Sequence, residues 1–122
     1  MSTRATVHFV DENNVVNAII YVHSDGYPEG LGKEIEVFLN EKVKYAPNEL
    51  RFDDTSYLAA HFLCWKMKQF SKAYATPENK KHWELNMIGV APVTTDPGDI
   101  EYRYIVKCHS YTEKPIVVCQ EC

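Results

Sequence analysis

Arginine occurs at only three positions, Arg4, Arg51 and Arg103, and it is the side chain best suited to two-pronged contact with a phosphate. Arg4 and Arg103 fall in alternating, strand-like segments, on the side that does not bear the main apolar stripe. Polar and aromatic groups surround them in sequence. His23, Asp25 and Tyr27 sit in the loop Tyr21-Val22-His23-Ser24-Asp25-Gly26-Tyr27-Pro28-Glu29-Gly30, and Thr94, Thr95 and Asp99 sit in a second loop around Pro97. Gly26 and Gly30 could bring backbone amides up to a phosphate where a helix begins, with Tyr27 offering a ring to a base. The same residues also suit a plain structural turn, with Asp25-Gly26 reversing the chain and Pro28 leading into the helix. His23 has two readings of its own: it titrates beside an anionic substrate, or it only fixes the turn.

A second cluster has the look of a metal motif. Cys119-Gln120-Glu121-Cys122 has knuckle spacing, and Cys108-His109 lies on the preceding strand. Zinc is nevertheless not expected, because the second pair consists of adjacent residues that point to opposite faces of a strand. The five histidines, His8, His23, His61, His82 and His109, form no H-E-x-x-H, and the chain has no G-x-S-x-G or phosphate-loop glycine run. No catalytic residue and no cofactor are expected.

The elements that must position these groups follow from periodicity. Arg4 to Val10 alternates, Asn13-Asn14 is placed at a two-residue turn, and Val15 to His23 returns as a second strand. That register sets residue 8 against 19 and 4 against 23. It gives Ala5, Val7, Phe9, Val16, Ala18, Ile20 and Val22 to the core face, and Arg4, Thr6, His8, Asn17, Ile19, Tyr21 and His23 to the other. Leu31, Ile35, Phe38, Leu39 and Val43 recur at helical spacing through Gly30 to Tyr45. A second helix is expected from Asp54-Thr55-Ser56 to Tyr74. It carries two apolar stripes, Leu58, Phe62 and Trp65 on one side, and Leu63, Met67, Phe70 and Tyr74 on the other. Either the helix is buried on both sides, or the second stripe forms a symmetric subunit interface; the latter predicts a dimer or larger. Strands follow over His82 to Val90, Ile100 to His109 and Pro115 to Gln120, with Asp96-Pro97-Gly98-Asp99 expected as a type II turn. The fold class is α+β: an antiparallel sheet in the order β-β-α-α-β-β-β with two helices packed on one face, forming a single ligand-binding domain over 1-122.

Bulk properties narrow the function. The 122 residues carry a net charge of -4, with 45% hydrophobic and 25% charged residues, as an ordinary globular domain does. Residues 1–60 hold 5 basic and 10 acidic side chains, residues 61–122 hold 8 and 7. Without a basic cluster, duplex nucleic acid is excluded as a partner, and an anionic ligand needs a local site. No apolar run suits a signal peptide or a membrane span, so a cytoplasmic protein with reduced thiols is expected.

Ser2-Thr3-Arg4 opening a hairpin, the loop Tyr21 to Gly30 after it, and Thr95-Asp96-Pro97-Gly98-Asp99-Ile100-Glu101-Tyr102 before the penultimate strand together resemble the phage-encoded Thoeris anti-defence sponge proteins, the first such family described. The resemblance runs over most of the chain. It implies a dimer or dimer-based oligomer that works in the cytoplasm of the bacterial host during infection or lysogeny. Such a protein captures glycocyclic ADP-ribose, the signal made by TIR-domain defence enzymes, without cleaving it; some members also take up cyclic oligonucleotides at a separate site. The ligand-binding residues chosen on chemistry are Arg4 and Arg103 for phosphates, Tyr27 for adenine or ribose, and His23, Asp25, Thr94, Thr95 and Asp99 for polar contacts. The competing readings are a nucleotide hydrolase using His23 with Asp25 or Asp99, and a protein-protein module acting through the apolar second helix.

Overall fold

A computed structural model describes residues 3–45, 48, 50–74, 88–94 and 97–122, the side chains of 70–74 excepted. The expected Thr95 and Asp96, and His82 with the first half of its strand, lie outside the described residues. The elements are β1 (Ala5–Val10), β2 (Val16–Val22), a single widened helical turn (Pro28–Gly32), α1 (Lys33–Tyr45), α2 (Thr55–Tyr74), β3 (Ile88–Ala91), β4 (Tyr102–Lys107) and β5 (Ile116–Glu121). This is the α+β succession that periodicity predicts.

The sheet is mixed rather than antiparallel. Its order is β3-β2-β1-β4-β5, and β1 lies parallel to β4 while every other neighbour is antiparallel. Two hairpins, β1–β2 and β4–β5, are each legible from local alternation. The way the two are joined is set by where the long β2-to-β4 connection returns, and that leaves no local signal. The first strand of the chain thereby becomes the centre of the sheet, and all six of its residues are buried.

Within the first hairpin the expected register holds from Ala5↔Val22 to Phe9↔Ala18 and then shifts, so that Val10 pairs with Val16. The turn is responsible. It has three residues, Glu12 to Asn14, not two: Asp11 N–H donates to the Val15 carbonyl, and Asn14 takes a positive φ of 64°, the geometry of a turn ending in a left-handed residue. Asp11 organises it, its carboxylate accepting the N–H groups of Asn13 and Val15, which lowers its pKa. The resulting bulge corrects two face assignments. Val16 turns to the face opposite the helices, where it meets His8 and Ile19, while Asn17 reaches the helix side and donates to Thr55 Oγ1 at 2.7 Å.

Both helices lie on one face. Ile35, Phe38 and Leu39 from α1 and Leu58, Ala59 and Phe62 from α2 share a core with Ala5, Val7, Phe9, Ile20, Val22, Tyr104 and Val106. Phe38 and Phe62 meet edge to face at 5.3 Å and Phe62 also contacts Phe9, a geometry worth about 0.5–1.5 kcal/mol per pair beyond burial. Asp54 caps α2 by accepting the Tyr57 N–H. Trp65 Nε1 donates to Glu41 and Lys66 pairs with Glu34 at 2.5 Å, tying α2 to α1. Of the second stripe, Leu63 packs partly against this core and Met67 is half-buried; the side chains of Phe70 and Tyr74 lie outside the described residues. Among the described residues no helix is long and apolar enough to cross a membrane.

Candidate functional site

The loop from His23 to Gly30 is built by packing. Gly26 passes so close to β1 that a Cβ on it would stand 2.6 Å from Ala5 Cβ and 2.9 Å from the Thr3 carbonyl, and a Cβ on Gly30 would stand 2.6 Å from the Asp25 carbonyl. Neither glycine adopts a positive φ; Asp25 does, at 60°. The amides a phosphate would need are engaged: Gly26 N–H donates to Thr3, Gly30 to Tyr27 and Leu31 to Asp25. Glu29, Glu34 and Glu36 crowd the start of the helical segment and already complement the positive end of its dipole. The phosphate-cradle expectation for this loop is therefore replaced by a structural one. The buried Tyr104 hydroxyl, donating to the Gly26 carbonyl at 2.7 Å, holds the loop to β4.

The candidate site lies on the opposite face. There a cleft of about 380 Å³ is lined by His8 from β1, Val16 and Ile19 from β2, Val93 and Thr94 after β3, Arg103 and Ile105 from β4, and Gln120 from β5. Strand register explains the gathering. Thr6 stands between Tyr21 and Arg103, and Arg103 stands opposite Gln120, so one rung across four strands is polar throughout. The next rung is Ile19, His8, Ile105 and Val118. Thr6, fully buried, shares a 3.0 Å hydrogen bond with His8 Nε2. A guanidinium, an imidazole, a hydroxyl and an amide thus surround an apolar floor, the usual composition of a small-molecule pocket.

The expected site residues divide accordingly. Arg103 and Thr94 come together in the cleft. Arg4 sits on the same face one rung beyond Thr6, but Asp99 holds its guanidinium and Glu101 accepts its backbone N–H. His23 bonds to the Tyr21 hydroxyl at 3.0 Å. Asp25 and Tyr27 contact each other in the packed loop. Gly98 shows no positive φ, whereas a type II turn needs one at that position; Asp96, the first residue of the expected turn, lies outside the described residues. His8 and Gln120 are the residues sequence reasoning missed. Alternation puts His8 on this face without singling it out, and Gln120 reaches the cleft only through its pairing with Arg103.

A second cleft of about 290 Å³ at the far end of the sheet is lined by Asp11, Glu12, Asn13, Asp53, Cys108, His109, Ser110 and Tyr111. Three carboxylates there disfavour an anion. The cysteines do not converge: Cys119 stands beside Tyr104 on the β4–β5 ladder, and Cys108 lies four residues further along, about 13 Å at strand rise. Among the described residues no group of three His, Cys, Asp or Glu side chains is arranged to hold a metal.

No family model, no curated protein and no solved structure matches the chain.

Proposed function

We propose that the protein is a non-catalytic sponge for a cyclic nucleotide signal, glycocyclic ADP-ribose, and that by holding the ligand intact it blocks TIR-dependent anti-phage defence in the bacterial cytoplasm. The observation that carries this reading is the back-face cleft, where Arg103, His8, Thr94 and Gln120 ring an apolar floor. Sequestration needs close complementarity and slow release, and it needs no nucleophile. The resemblance of the loops around residues 26 and 97 to the sponge proteins supplies the ligand's identity. A homodimer or dimer-based assembly belongs to the same reading, with the Leu63–Met67 side of α2 as one contact surface.

The test is mass spectrometry of metabolites released by heat from protein purified out of cells producing TIR-derived signals. Intact glycocyclic ADP-ribose in near-stoichiometric yield is the expected result. Recovery of a cleaved nucleotide would instead indicate a hydrolase, and recovery of no nucleotide would indicate a protein-binding module. For the assembly, Met67→Glu should lower the mass measured by light scattering at micromolar concentration.

A further inference from the structure

Among the described residues no strand covers the outer edge of β5, and the strand carries neither lysine nor proline nor a bulge, Glu121 being its one charged side chain. Strands at an edge are commonly protected by shortness, by lysine or proline within the strand, or by a bulge. β5 runs for six residues, Ile-Val-Val-Cys-Gln-Glu, in unbroken register with β4. Its surface is apolar for an exposed strand, Ile116 being 57% and Val118 46% accessible. The direction of its backbone groups is also fixed. Cys122 N–H donates inward to the Glu101 carbonyl, so by the alternation of an antiparallel ladder Val117, Cys119 and Glu121 turn their N–H and C=O groups outward.

We infer that β5 pairs antiparallel with β5 of a second copy about a twofold axis through Cys119. Faces are preserved in such a pair only when residues of like parity stand opposite each other. Of the registers that satisfy this, the one setting Cys119 against the partner's Cys119, with Val117 against the partner's Glu121, satisfies every outward group of those three residues. Sliding by two residues leaves some of them unpaired. The two sheets become one continuous sheet, and the back faces lie on the same side. In that register the partner's Val118 stands opposite Gln120, so the second copy extends the wall of the cleft beyond β5. This last consequence rests on the cleft being the ligand site; the strand pairing does not.

Single-cysteine variants of the full chain test the pairing without any ligand. Directly opposed residues in the hydrogen-bonded positions of an antiparallel pair lie about 5.5 Å apart at Cα, inside the range a disulfide spans. Protein retaining only Cys119 should form a covalent dimer on mild oxidation at least tenfold faster than protein retaining only Cys122 or only Cys64, both also exposed. Glu121→Pro in the Cys119-only background should abolish that advantage and weaken dimerisation by tenfold or more. The substitution removes an outward N–H and leaves the bonds to β4 in place, which an unchanged circular dichroism spectrum would verify. Equal cross-linking rates at the three positions, or undiminished dimerisation of a folded Glu121→Pro protein, would overturn the pairing. Preferential cross-linking through Cys64 would overturn it in favour of an α2 contact.

Discussion

The His23–Gly30 loop and the back-face cleft make opposite use of their residues. The loop has the glycines, the proline, the acid and the aromatic ring of a ligand-binding turn, yet the structure spends them on the chain itself: two glycines where a Cβ would strike backbone or side chain, and amides that donate to neighbouring carbonyls. The cleft has no motif at all, and its lining comes from five separate segments, four of which supply its polar groups, His8, Thr94, Arg103 and Gln120. A glycine in a loop can therefore signal close packing as readily as ligand approach, and the two are told apart by where the amides point.

The sharpest way to break this contrast is at Gly26. Replacing it with alanine forces a methyl against Ala5 Cβ and the Thr3 carbonyl, and overpacking of that kind costs about 1–3 kcal/mol. Urea denaturation of Gly26→Ala should show this loss, while ligand affinity at low temperature stays at the parental value. A stable variant with weakened binding would return the loop to the ligand.

Within the cleft, Arg103→Ala should weaken nucleotide binding by about ten- to a hundredfold, since a hydrogen bond to a charged group is worth roughly 1.5–3 kcal/mol. Arg4→Ala, which removes a guanidinium already held by the exposed Asp99, should change affinity by less than about threefold and stability by about 0–1 kcal/mol. Calorimetry on the two variants side by side decides whether the phosphate site is centred on β4 or on the start of β1.

Gly89 offers a finer probe. It stands opposite Tyr21 at the β3 end of the polar rung, and among the described residues a Cβ there would meet nothing within 4 Å. Gly89→Ala should leave stability unchanged or raise it by about 0.4–1 kcal/mol, and a few-fold drop in affinity would show that the ligand reaches across β2.

Cys108 provides the smallest effect. Burial, with Asp53, Asp11 and Asp54 adding to it, pushes its thiol from 9.0 up to about 11. Folding thus favours the protonated thiol, so this contribution to stability is complete below the unfolded thiol's pKa and declines as pH rises toward 11. Alkylation at pH 8 should modify Cys64, Cys119 and Cys122 and spare Cys108 until denaturant is added.

What the sequence made legible was local. Alternation located the strands described here, helical spacing and Asp54 located α2, and five of the paired positions in β1–β2 follow from the hairpin. The turn was misjudged by one residue because Asn14, rather than the Asn13–Asn14 pair, takes the left-handed conformation, and that residue sent Val16 to the other face. Arg103 stands out in the sequence by its type and face, and the structure places it in the cleft. Its neighbours His8 and Gln120 do not stand out, because β1 beside β4 in parallel is a long-range pairing that no short-range signal announces.

The central position of β1 also bears on how the molecule is made. Its two edges are satisfied at very different times, β2 following within a few residues and β4 only after roughly a hundred. During synthesis the nascent hairpin must wait beside the ribosome with one apolar edge open, and closure of that edge depends on the late arrival of β4. Until β4 forms, that edge of β1 is open to wrong strand partners.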